Sequence, residues 1–171
     1  MGAKEQGVEQ SAQRYRVIPR TLIFITHGDD VLLLRGSPTK RIWPNRYNGV
    51  GGHIERDETV HQAALREIAE EVGLTEVADL RLCGTINIDA GSPSLGILLF
   101  VFTAASPTRM VAASHEGTPE WVNWRALDTD EMVEDLPVIL ERVCSMRLGD
   151  PPFSACYWYD SQDELQMAFS P

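Results

Sequence analysis

The sequence predicts one α/β domain, a mixed β-sheet sandwiched between helices (an α-β-α sandwich). Three observations carry that expectation. Apolar runs bounded by polar turns recur, beginning with TLIFIT and VLLLRG around HGDD, which reads as strand, turn, strand. Two other segments, near 59–72 and 136–146, place apolar residues at helical spacing. The chain's 171 residues suit a single domain with a proper core.

Taken in order, the first hairpin turns at His27 to Asp30. SPTKRIWPNRYN follows as a loop rich in turn and breaker residues, then GVGGHIE as a short strand. The first helix is expected from Thr59 to Val72, with Asp57 or Thr59 as N-cap and Gly73 where a left-handed C-cap belongs. Strands follow near Leu80 to Asp89 and Gly96 to Thr103, and EWVNW reads as another. LPVILERVCSM forms the second helix, with Pro137 in its first turn. FSACYWYD and ELQMAF pair as a hairpin across Asp160 to Asp163. Residues 1–16 are expected to be a mobile N-terminal tail and 17–171 the domain.

The formal net charge of −10 disfavours binding to a nucleic-acid polymer. No apolar run approaches the roughly 20 residues that span a bilayer, and MGAKEQGVEQSAQ lacks the apolar segment of a signal peptide. A cytoplasmic protein, monomer or homodimer, with no membrane partner is the expectation. Cys83, Cys144 and Cys156 are widely spaced without a CxxC pair, which argues against a disulfide framework and a zinc site. The four histidines show no metal-ligand spacing.

The stretch GGHIERDETVHQAALREIAEEVGL poses the functional question. At 100° per residue from Glu67, Glu70 falls near 300° and Glu71 near 40°, so three carboxylates share one arc beside the apolar stripe Val60, Ala64, Ile68, Val72. Like charges at this spacing repel, and a hard divalent cation relieves the cost because Mg²⁺ prefers oxygen ligands. Arg66 pairs with Glu70 at i, i+4. Gly51 and Gly52, without side chains, let a ligand approach the backbone closely. A solvated charged face is the plain alternative for glutamates on a helix.

Gly52, Glu58, Arg66, Glu67, Ile68, Glu70, Glu71, Gly73 and Leu74 match every defined position of G-x5-E-x7-R-E-U-x-E-E-x-G-U, where U is bulky and aliphatic. The chain therefore resembles the Nudix hydrolases. That resemblance implies the Nudix fold and cleavage of a nucleoside diphosphate linked to another group, water attacking phosphorus with Mg²⁺ (or Mn²⁺) as cofactor. It implies Glu67, Glu70 and Glu71 as metal ligands, the Gly51 carbonyl as a backbone ligand, Glu58 as a brace for the loop and Arg66 as the residue orienting the cluster. Glu67 or a glutamate from another loop serves as general base. Glu116 in ASHEGTPE is the choice for that second, metal-binding or basic carboxylate, with Glu120 its competitor.

IWPNRYNGVGGHIE and the C-terminal FSACYWYDSQDELQMAF resemble the MutT-like 8-oxo-dGTP diphosphatases, with Asn48 at the position of their base-recognising asparagine. An amide both donates to and accepts from a purine edge. Trp43, Tyr47, Trp121 and Trp124 are candidates for stacking on a base, against core packing. Arg35 and Lys40 are candidates for the phosphates. Among Asp130, Glu131, Glu134 and Asp135 a carboxyl is expected to read the purine. DAGS, 89–92, lacks the proline and the tyrosine that mark ADP-ribose and dinucleoside polyphosphate hydrolases. A nucleoside triphosphate diphosphatase is the first reading. A hydrolase of ADP-ribose or another nucleoside-diphosphate-X is the second, and a non-catalytic nucleotide-binding regulator the third.

Overall fold

The computed structural model describes residues 14–170, so residues 1–13 of the expected tail lie outside it. The chain runs β1 (Arg16–His27), β2 (Asp30–Gly36), β3 (Tyr47–Asn48), α1 (Val60–Val72), β4 (Ala78–Ser92), β5 (Leu95–Ala105), β6 (Gly117–Val122), α2 (Leu136–Ser145), β7 (Phe153–Tyr159) and β8 (Leu165–Phe169). One eight-stranded sheet results, in the order β3-β2-β1-β5-β4-β7-β8, with β6 on β2. The pairs β1–β5 and β4–β7 are parallel and the others antiparallel, so the sheet is mixed.

Both sheet faces are covered, and strand alternation sorts the residues between them. Leu22 and Phe24 of β1 and Val31 and Leu33 of β2 join Leu136, Ile139, Leu140 and Val143 of α2 in one apolar cluster. Their neighbours Ile23, Ile25, Leu32 and Leu34 join Ala64, Ile68 and Val72 of α1 in the other. Ile68 is 1% exposed, and truncating such a side chain to Ala costs about 2–5 kcal/mol.

α1 starts on a capping box: Gln62 N–H donates to the Thr59 hydroxyl, and Thr59 N–H to the Gln62 side chain. Thr59, not Asp57, is therefore the cap. Gly73 closes the helix at φ +72°, its N–H on the Ala69 carbonyl. At the other end of the chain, β7 and β8 form the expected hairpin, with Asp160 N–H on the Glu164 carbonyl.

Two expected strands need correction. β1 pairs with β2 only near their turn, from Ile25–Leu32 to His27–Asp30. Beyond it β1 takes Val50 and His53 as partners of Ile23 and Arg20, while β2 takes Asn48 and Tyr47 as partners of Leu34 and Arg35. Residues 47–53 thus wedge between two diverging strands. GVGGHIE makes only isolated bridges there, because Gly51 at φ +147° breaks the ladder's regularity. EWVNW also shifts. The strand begins at Gly117 and ends at Val122, after which the Asn123 side chain accepts from Arg125 N–H and starts a short 3-10 turn.

Candidate active site

The wedge brings the glycine bend against α1. Thr21 N–H donates to the Gly52 carbonyl at 2.8 Å, and Ile23 N–H to the Val50 carbonyl at 2.7 Å. A side chain at Gly51 would strike the Thr21 carbonyl, and one at Gly52 would enter the Glu67 carboxylate. Glycine is required at both places for different reasons, the first a backbone collision and the second the room a carboxylate occupies.

Arg66 organises the acidic face. It donates to both oxygens of Glu58 at 2.6 and 3.1 Å, to Glu67 at 2.8 Å, to Glu70 at 3.1 Å and to the His53 carbonyl at 2.9 Å. Only a planar guanidinium supplies so many directed donors from one side chain. Glu58 also accepts from Glu55 N–H at 2.7 Å, which locks the loop before α1. These bonds, with Arg66 first, hold the Glu58 carboxyl below its ordinary range, and Glu58 in turn raises the pKa of Arg66 further.

Glu67 and Glu71 are each 8% exposed, although they sit on the helix face that also carries Ile68 and Val72. Buried charge is costly unless paired. Glu67 has Arg66. Glu71 has a hydrogen bond from Gly51 N–H at 2.8 Å. Burial pushes the Glu71 carboxyl up to about 7 against that bond, with the charges of Glu67 and Glu116 adding to the rise. Glu70 is exposed.

A cavity of about 710 Å³ joins these groups. Gly51, Glu67, Glu70, Glu71 and Glu116 line it, as do Asn48 and Trp43. Glu116 is bound by Lys40 at 2.9 Å, which holds its carboxyl below the ordinary range; Lys40 thus meets a protein carboxylate. Glu120, the competitor, lies off this wall and accepts the Tyr47 hydroxyl at 2.7 Å. Asn48 uses its Oδ1 to accept from Gly49 N–H at 2.8 Å, leaving its amide nitrogen to donate. Of the acidic candidates for reading a purine, Glu134 and Asp135 reach the cavity and Asp130 and Glu131 do not. Burial, reinforced by Glu134, lifts the Asp135 carboxyl to about 6 against a bond to its own backbone.

Arg35 and Tyr47, expected at the substrate, lie away from the cavity lining. Neighbours along a strand face opposite ways, so with Asn48 on the cavity Tyr47 turns into the core, 4% exposed. Arg35, its strand partner, stacks over the Tyr47 ring at 5.4 Å and pairs with Glu131 at 3.9 Å. Trp121 and Trp124 also leave the list of stacking candidates: Trp121 donates to the Arg109 carbonyl and packs on His27, and Trp124 is buried. Sequence reasoning did not single out Arg20 and Tyr157, which line the cavity. Arg20 lies in the half-exposed first part of β1 and Tyr157 on the inward face of β7, where side-chain type gives no sign that a cavity opens beside them.

Among the described residues no three His, Cys, Asp or Glu side chains already form a metal cage. Arg66 occupies Glu67 and Glu70, and Gly51 occupies Glu71. The donor set nonetheless suits a hard cation. It is all oxygen, it includes the buried carboxylate of Glu71, which accepts from the uncharged backbone amide of Gly51, and Mg²⁺ binds through one or two carboxylates, waters and substrate phosphates without an all-protein cage.

The chain is similar to known proteins in sequence and in fold. The family model described as NUDIX domain matches residues 17–143. The NAD-capped RNA hydrolase NudC of Pseudomonas aeruginosa (strain LESB58) is 43% identical over 72 residues, 42% of this chain and 24% of that protein, so the match spans about a quarter of that relative. The oxidized purine nucleoside triphosphate hydrolase of Danio rerio is 29% identical over 126 residues, covering 71% of this chain and 79% of that protein. The crystal structure of a MutT protein from Bacillus halodurans superposes with a TM-score of 0.74 at 24% identity, over 91% of this chain and 99% of that one; at that identity it speaks for the fold.

Proposed function

The chain belongs to the Nudix family, whose members hydrolyse phosphoanhydride bonds, and on that premise we propose that it cleaves nucleoside triphosphates to monophosphate and pyrophosphate, oxidised purine nucleotides such as 8-oxo-dGTP among them. The observation that carries this reading is the pair of buried carboxylates, Glu67 and Glu71, set against the Gly51–Gly52 bend on a cavity that also presents Asn48.

Glu67, Glu70, Glu71 and Glu116, with the Gly51 carbonyl, would hold Mg²⁺ or Mn²⁺. When bound, the ion would neutralise the pyrophosphate and lower the pKa of water near it. The chain's own part is orientation and proton transfer. The glycine bend lets the Glu67 carboxylate seat against the backbone at the acidic wall, and Arg66 keeps Glu67 and Glu70 from splaying into solvent. As water attacks phosphorus and the anhydride bond breaks, its proton passes to a carboxylate and pyrophosphate leaves. Glu67 and Glu116 are the two candidates for that role, each hydrogen-bonded by a cation of the protein, Arg66 and Lys40 respectively. Asn48 Nδ2 and the carboxyl of Asp135 face the cavity as the groups to read a base.

The match to a NAD-capped RNA hydrolase favours a second reading, a pyrophosphatase of nucleoside-diphosphate-X compounds. It covers 42% of this chain, against 71% for the oxidized purine nucleoside triphosphate hydrolase, and so ranks below the first. The complete glutamate set counts against a silent nucleotide-binding regulator. A panel of canonical and oxidised dNTPs, ADP-ribose and dinucleotides, with Mg²⁺ and separate assays for pyrophosphate and monophosphate, tests the assignment. Release of pyrophosphate from dNTPs with the highest kcat/KM on an oxidised purine is the expected result; a preference for ADP-ribose or a dinucleotide would replace it with the second reading.

A further inference from the structure

Among the described residues, two buried side-chain polar atoms lack a hydrogen-bond partner: Nε of Arg20 and the hydroxyl of Tyr157. Both residues line the cavity of about 710 Å³ described above. An unpaired buried donor forfeits its bonds to water without replacement, and native proteins keep few such groups. Two of them on residues that line a single cavity point to a ligand that completes them.

Their positions define what that ligand spans. Arg20 is on β1, bridged to His53 beside the glycine bend, and opposite Leu99 of β5. Tyr157 is on β7, paired with Ile88 of β4, and 1% exposed. By strand alternation Arg20 shares the sheet face of Leu22 and Phe24, the face on which Tyr157 packs. In sheet order β1 and β7 are separated by β5 and β4, three strand spacings or roughly 14 Å of backbone. Leu99, Ile97 and Ile88 form an aliphatic floor between them. An apolar floor with one cation near the Gly51–Gly52 bend and its acidic wall and one hydroxyl at the far side has the polarity of a nucleotide, anionic at one end and a flat heterocycle with polar edges at the other.

We propose that Arg20 and Tyr157 are specificity-determining residues of this limb of the cavity: the Nε–H of Arg20 donates to an oxygen at the sugar-phosphate end of a nucleotide, and the Tyr157 hydroxyl hydrogen-bonds the outer edge of its base. The proposal rests on the nucleotide reading above and adds the residues that set affinity. Arg20 supplies only donors, so its partner is an acceptor oxygen. Tyr157 both donates and accepts, so it tolerates either kind of base edge, and its neighbour Asp135 faces the same end of the cavity.

Tyr157→Phe and Arg20→Met test it separately. The ligand-free melting temperature, the affinity for dGMP and 8-oxo-dGMP as probes, and KM against kcat on the triphosphates are measured for each. The expected result is a loss of probe affinity and a rise in KM of about 2- to 10-fold per variant, with kcat unchanged and the ligand-free melting temperature equal or higher, because an unpaired buried group has been removed. A merely structural role moves melting temperature and leaves affinity alone. If either variant folds poorly, the other still decides, since the two sites are far enough apart to act independently. Wild-type affinity for the probes with no change in either variant overturns the proposal, as does a wild-type protein that binds neither monophosphate. Variants that lose probe affinity in a protein that hydrolyses no triphosphate uphold the subsite and refute the proposed reaction, so the two failures are distinct.

Discussion

The backbone N–H of Gly51 donates to Oε2 of Glu71 at 2.8 Å across twenty positions of sequence. This bond ties the bend wedged between β1 and β2 to the last turn of α1. It sets the acidic wall at a fixed place relative to whatever approaches the glycines.

Adjacent glycines should fail differently. Gly51→Ala forces a side chain into φ +147° and against the Thr21 carbonyl, so it should lower stability by about 1–3 kcal/mol or more. At Gly52 the added carbon meets Glu67 Oε1 at 2.5 Å. Gly52→Ala should therefore keep most stability and lose most turnover. Melting temperature and kcat measured together separate the two.

Arg66→Lys retains the charge and loses the fork that serves Glu58, Glu67, Glu70 and the His53 carbonyl. The expected outcome is a melting temperature lower by roughly 3–8 °C together with a fall in kcat. Unchanged turnover would mean the cluster needs no guanidinium to orient it.

Glu116→Gln and Glu120→Gln discriminate the two downstream carboxylates. Glu116 faces the cavity and Glu120 holds the Tyr47 hydroxyl. The first substitution should reduce kcat by about 10-fold or more at little cost in stability. The second should reduce stability and spare kcat. The reverse pattern would transfer the role to Glu120.

Asp135 gives a pH signature. Its folded-state pKa is raised from 3.8 to about 6 by burial, so folding favours the protonated acid. That contribution to stability is complete below pH 3.8 and is lost as pH rises through about 6. Thermal melts of Asp135→Asn should show a flatter dependence across this window than the wild type. Parallel curves would show that Asp135 is solvated.

Much of this was legible in the sequence where a period or a cap carried it. The stripe of Ala64, Ile68 and Val72 and the αL turn at Gly73 are local signals, as are the alternating strands of the first hairpin. The wedge of residues 47–53 was not, because it depends on where β1 and β2 part company, a tertiary event without a local pattern. Arg35 was expected at the phosphates for its charge and Tyr47 at the base for its ring, yet alternation along β2 and β3 turns this pair away from the side on which Leu34 and Asn48 meet the cavity. Arg20 and Tyr157 carried no sign at all, since only the packed sheet reveals which buried polar atoms are left without partners.

The central claim is that the carboxylates beside the glycine bend hold divalent cations against a phosphoanhydride, and Mn²⁺ binding followed by electron paramagnetic resonance tests it most directly. Metal-stripped protein with a non-hydrolysable triphosphate should bind Mn²⁺. Glu67→Gln combined with Glu71→Gln should abolish that binding and reduce Mg²⁺-supported turnover by about 100-fold or more, while the fold persists. Equal Mn²⁺ binding in wild type and double variant, or full turnover in the presence of chelator, would contradict the account.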